Sequence, residues 1–192
     1  MNKNRLEAFS DGVLAIIITI MVLELKVPEG DSFSDLWALF PVFLSYVLSF
    51  IYVGIYWNNH HHLLHGATRV NGKILWANLH LLFWLSLVPA STAWMGENDF
   101  SKATVTLYGI VLLMCGVAFV FLQTTIICLD GEKSFLAEAV GKDTKGKTSI
   151  FLYLSAIVIS FYAQWISLAI YLIVALMWLI PDTRIEKRVL KS

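Results

Sequence analysis

The sequence predicts an all-α integral membrane protein with six transmembrane helices in one domain over residues 1–192, and three observations predict it. Only 15% of the residues are charged against 58% hydrophobic, with a mean hydropathy of +0.71. A soluble domain keeps about a quarter of its residues charged. The charges are bunched between apolar blocks at Leu6–Leu25, Leu36–Trp57, Ile74–Trp94, Thr104–Cys128 and Ser149–Ile180. A helix needs roughly 20 mostly apolar residues to cross ~30 Å of hydrocarbon, and each block supplies them. Finally, the lysines and arginines collect in alternate connections, as they do in polytopic proteins.

The first block, residues 6–25, follows Met1-Asn2-Lys3-Asn4-Arg5 and so has the outline of a secretory leader. It ends in Leu23-Glu24-Leu25-Lys26-Val27-Pro28 without a small-residue cleavage site, which predicts an uncleaved span. Asn4 and Glu7 have the spacing of a capping box, which predicts a helix starting at Arg5. Residues 36–57, 74–94 and 104–128 supply the second, third and fourth spans. The last block is too long for one helix at about 1.5 Å per residue. Tyr162 and Gln164 interrupt its aliphatic run, which predicts two shorter spans, 149–162 and 165–180, turning near Phe161–Trp165.

With six spans, one side of the membrane receives the N-terminus, the Asn58–Lys73 and Leu129–Thr148 connections and the tail after Pro181. Twelve of the fourteen lysines and arginines lie there, and only Lys26 and Lys102 lie opposite, among Glu24, Glu29, Asp31, Asp35, Glu97 and Asp99. The positive-inside rule then places both termini in the cytoplasm. A net charge of zero gives no basic field for nucleic acid. Cys115 and Cys128 form no disulfide framework or metal-ligand spacing and read as small apolar fillers.

The first span carries Ser10 and Asp11 into an apolar helix. An acid facing lipid costs at least a few kcal/mol, so Asp11 should face protein or water. On a wheel at ~100° per residue with Ile16 as origin, Phe9, Gly12, Thr19, Ile20 and Leu23 cluster within ~60° of it, and Asp11 falls near −140°. The aliphatic stripe and the acid therefore occupy different surfaces. On periodicity alone, a stripe of isoleucine, leucine and threonine is ordinary helix packing.

The residues themselves say more than their period. Arg5-Leu6-Glu7-Ala8-Phe9-Ser10-Asp11 resembles the R-x-x-x-F-S-D signature of the transmembrane protein 175 family of potassium channels. Tyr56-Trp57-Asn58-Asn59-His60-His61, and Asn78-Leu79-His80-Leu81-Leu82-Phe83-Trp84 through Pro89, are similar to the ends of the second and third spans of its bacterial members. The resemblance is most specific over residues 1–97. It implies a non-enzymatic channel subunit that binds no cofactor, pairs with itself as a homotetramer and conducts potassium ions across the lipid bilayer. A single six-span unit implies the prokaryotic kind, in the plasma (inner) membrane. It also implies that the first helices of the tetramer line the pore, without a P-loop or a T-V-G-Y-G filter. The family's constriction, five residues after the motif aspartate, falls on Ile16, and the positions one and two turns on are Ile20 and Leu23. The family's threonine layer, implicated in potassium preference, falls on Thr19.

Depth in the membrane brings other polar residues together. Asp11, Ser10, Trp57, Asn58, Asn78 and His80 all lie near the cytoplasmic ends of their helices, and polar groups at one depth in lipid seek one another. A network of the motif residues Arg5, Phe9, Ser10 and Asp11 with Trp57 and His80 is therefore expected. Separate contacts to backbone or interfacial water are the alternative. His60, His61, His62 and His65 raise a further possibility, since His61 and His65 share a helical face as metal ligands do. That spacing leaves a membrane metal enzyme open as an alternative function, beside a transporter or a non-conducting scaffold. Histidines solvated at a cytoplasmic helix end are the simpler reading.

Overall fold

The computed structural model describes residues 3–131, 134–141 and 143–179, and every regular element among them is a helix. Helix α1 (Lys3–Leu23) begins at Lys3. Asn4 therefore lies inside the first turn and not at the expected N-cap. The extra turn is anchored from outside: the Lys3 ammonium donates to the main-chain carbonyls of His65 and Ala67 at 3.1 and 3.3 Å and lies 4.0 Å from Glu7.

The second apolar block divides. A short α2 (Phe33–Ala38) is started by a capping box between Ser32 and Asp35, and α3 (Phe40–Gly66) follows with a proline in its first turn. Proline is tolerated there because the first N–H groups of a helix have no partner within it. Helix α3 continues well past Trp57, so the expected Asn58–Lys73 connection contracts to residues 67–71 and the four clustered histidines are helical. The third block is α4 (Gly72–Ser86), capped by the Asn71 side chain, and α5 (Val88–Glu97). They form one path interrupted at Leu87, where a proline opens the second segment. The fourth is α6 (Lys102–Asp130), followed by a short α7 (Phe135–Val140). The last block folds as α8 (Thr144–Ser160) and α9 (Gln164–Leu179), with the turn at residues 161–163.

Lys3–Leu23, Phe40–Gly66, Gly72–Glu97 and Lys102–Asp130 are each long and apolar enough to cross a membrane, whereas Gln164–Leu179 is an apolar but shorter helix. The expected end of the last span at residue 180, together with Lys133, Lys142 and the cations after Pro181, lies outside the described residues.

Contacts between helices set their directions. Lys3 meets His65, Thr68 bonds Asp130, Gln123 bonds Asp143 and Trp178 bonds Ser149, so these all lie at one end of the bundle. Lys26 pairs with Glu97, and Thr106 bonds Ser160, at the other. Successive long helices thus run antiparallel. Helix α6 is the centre, packed between α4 and α8, while α8 and α9 form a hairpin and α1 lies across α3, α4 and α5. Close approach needs missing side chains, as is general where helices pack in lipid. A Cβ at Gly109 would strike the Tyr171 hydroxyl, and one at Gly96 would come within 2.8 Å of the Val42 backbone.

Candidate functional site

Helix α1 has two unlike faces. Leu6, Ser10, Leu14, Ile17 and Met21 recur every three or four residues and are buried against α3, α4 and α5. The other side is uncovered by the subunit: Ile16 is 59% exposed, Ile20 40% and Leu23 82%. Arg5, Phe9, Gly12 and Thr19 are exposed as well. The Thr19 hydroxyl donates to the Ile16 carbonyl at 2.8 Å, back along its own helix. That bond fixes the oxygen while leaving its lone pairs available to an outside partner.

The polar residues at the other end of α1 divide into two groups. Ser10 is fully buried; its hydroxyl donates to the Leu6 carbonyl at 2.9 Å and accepts from the Asn78 amide at 2.9 Å. The Asn78 carbonyl oxygen lies 2.7 Å from His60 Nε2, and His60 is 2% exposed. An amide oxygen only accepts, so this ring nitrogen carries the proton. Separately, Trp57 donates its indole N–H to Asp11 at 3.0 Å, on the exposed edge of the α1–α3 contact. Asp11 is exposed within the subunit, on a different surface of α1 from the aliphatic stripe, as its wheel position implies.

His80 joins neither group. It accepts from the Trp84 indole at 3.0 Å and faces Phe121, so the expected single network of Ser10, Asp11, Trp57 and His80 is replaced by two separate ones. The physical reason is helical phase: His80 stands ~200° from Asn78 on α4 and cannot reach the face that meets α1. His60 is also corrected, from a solvated histidine to a buried one. Arg5 and Phe9 lie on the uncovered side of α1 and not in either group.

His61 and His65 have ring centroids 6.2 Å apart, and His61 stacks on Trp57. Among the described residues no group of three or more histidines, cysteines or carboxylates is placed to hold a metal ion. At the far end, Lys26 meets Glu97 at 2.6 Å and ties the exit of α1 to the end of α5. The bond to Glu97 and the attraction of its charge hold the Lys26 ammonium above the usual lysine range.

Antiparallel apolar helices, with a first helix that is anchored on one face and bare on the other, define a multi-span α-helical membrane protein. Residues 5–89 match the family described as the endosomal/lysosomal potassium channel TMEM175. The chain is 58% identical over 187 residues to a potassium channel of Chryseobacterium sp. (strain P1-3), with 97% of each chain covered. It is 38% identical over 128 residues to a potassium channel of Streptomyces collinus, with 62% of each covered. The fold is similar to the crystal structure of a lysosomal potassium-selective channel TMEM175 homolog from Chamaesiphon minutus. There the TM-score is 0.83 at 28% identity, with 94% of this chain and 97% of that one covered. This chain belongs to the TMEM175 family, which is a family of channels and not of enzymes.

Proposed function

We propose that the chain is one subunit of a homotetrameric, potassium-preferring cation channel in a prokaryotic plasma membrane. Each subunit crosses the membrane six times with both termini in the cytoplasm, and the four α1 helices line the pore. The observation that carries this reading is the bare face of α1. The subunit buries Ser10 and leaves Ile16, Ile20 and Leu23 outward, which is the surface a ring of four copies would enclose. The names of its relatives, potassium channels over the whole length of the chain in one case, support the same reading.

In this arrangement the four Ile16 side chains form the constriction. An aliphatic ring excludes water and blocks ions by dewetting, and modest widening lets a hydrated or partly hydrated cation through. Ile20 and Leu23 extend the apolar lining. Thr19 presents a ring of hydroxyl oxygens, already oriented by their bonds to Ile16, that replace part of the hydration shell of potassium at lower cost than for sodium. No cofactor takes part; the permeant ion is the ligand.

Thr19→Val removes the hydroxyl at nearly constant shape, so the pore diameter stays the same while potassium loses a ligand. The potassium-to-sodium permeability ratio from reversal potentials in bilayers is expected to fall toward one, without a rise in leak. An unchanged ratio in a well-assembled Thr19→Val channel would remove Thr19 from selectivity.

A further inference from the structure

Away from α1, the subunit contains a small cavity, with about 40 Å3 of water-accessible space and open on one side, between α3, α6, α8 and α9. Its walls are aromatic. Tyr56 meets Phe119 edge-on at 6.1 Å between centroids and 63°, and Phe119 meets Trp178 in the same way at 6.4 Å and 68°, so ring faces turn in different directions around one space. Tyr52 and Tyr153 complete the lining deeper in the bundle. The polar lining lies toward the end of the bundle shared by Lys3 and Asp130, and includes Asn59, Gln123, Asp143 and Ser149.

Among the described residues that line the cavity, Asp143 is the only charged one. Its carboxylate is fixed on both oxygens: one accepts from the Gly146 N–H at 3.1 Å and the other from the Gln123 amide at 3.4 Å. The backbone supports this at some expense, since Asp143 holds φ at 44°, in the left-handed region. One aromatic wall already accepts a cation. The Lys145 ammonium lies 5.8 Å from the centre of the Trp178 ring, within the range of a cation–π contact.

We propose that this cavity binds an organic ammonium ion, its charge at Asp143 and its compact apolar body against Tyr56, Phe119 and Trp178. Ring faces and one carboxylate are complementary to such an ion, whereas a fatty-acid carboxylate would be repelled by Asp143. A bare metal cation would find ring faces where it needs several oxygen ligands. The site lies within one subunit and does not depend on how α1 is used. It does adjoin α1's anchor, because Tyr56 in its wall precedes Trp57, the donor to Asp11.

The test is a calorimetric titration of benzyltrimethylammonium chloride into the full chain in nanodiscs, with potassium chloride in excess. Wild type is expected to give saturable binding. Asp143→Asn removes the charge but keeps a side-chain oxygen to cap α8, since asparagine caps as well as aspartate does. Its affinity is expected to fall about tenfold or more, as for the loss of one charge-assisted pair. Tyr56→Leu, which leaves the cap untouched, is expected to weaken binding comparably, and both variants are checked for an unchanged size-exclusion profile. No saturable binding to wild type would overturn the proposal. So would affinities unchanged in Asp143→Asn and Tyr56→Leu, the result that partition into lipid or binding in the pore would give.

Discussion

Ile16→Asn is expected to raise the resting cation conductance of the assembled channel by about tenfold, the change produced by lowering a barrier by ~1.4 kcal/mol. In the proposed tetramer, a ring of four amide side chains at position 16 holds water where an aliphatic ring expels it, so the dry barrier disappears. The substitution separates this account from its simplest competitor. Ile16 is 59% exposed in the subunit, so the change disturbs little of the subunit's own core. If the bare face of α1 met lipid, an asparagine there would reduce membrane stability and leave conductance per assembled channel as it was. Currents in bilayers, read beside the size-exclusion profile, distinguish the two. Normal assembly with unaltered resting current would eliminate Ile16 as the constriction.

Asn78→Leu is expected to destabilise the subunit's own fold. It removes both bonds by which α4 holds α1 and α3, those to Ser10 and His60 at 2.9 and 2.7 Å. Ser10 keeps its bond to the Leu6 carbonyl, so the loss falls mainly on the His60 N–H, in a side chain only 2% exposed. An orphaned buried donor costs about 1–3 kcal/mol, and hydrogen bonds between membrane helices sit at the lower end of that range, so about 1–2 kcal/mol is expected. Thermal loss of the monodisperse species measures it. The double change His60→Leu with Asn78→Leu should recover part of the loss, because no buried donor is left unpaired. A double variant as unstable as the sum of the two single ones would show that the residues do not act as a pair.

Much of this architecture is legible in the sequence, and what is not has identifiable causes. The apolar blocks and their charged connections mark the membrane helices because hydrophobic length and charge are local properties. For the same reason the turn at residues 161–163 falls within the expected Phe161–Trp165 interval, where Tyr162 and Gln164 interrupt the aliphatic run. The division of the second block escapes a reading by hydropathy, since α2 is itself apolar. Its signals are chemical: Ser32 and Asp35 at capping-box spacing, and Pro41 where α3 begins. The length of α3 is missed because histidines and asparagines after Trp57 read as a solvated connection. The anchor supplied by Lys3, which bonds the carbonyls at that helix end, is tertiary.

The polar contacts teach a more specific lesson. Depth alone brings Asn78 and His80 equally close to Ser10. The phase of α4 separates them, because its buried face is Ile74, Ala77, Asn78, Leu81, Leu82 and Leu85, a helical stripe that includes the asparagine and omits the histidine. The stripe is present in the sequence and picks out Asn78. That His60 is its partner follows only from how α3 packs against α4.

The central claim, a potassium-preferring conduction path through an assembly of these chains, is tested most directly by ion flux from the purified protein. Proteoliposomes containing only this chain are loaded with potassium or sodium salt, and flux is started with a proton ionophore and followed with a pH-sensitive dye. The account predicts rapid protein-dependent flux with potassium and slower flux with sodium. Flux no greater than that of empty liposomes with either ion, from protein that elutes as an intact oligomer, would contradict it.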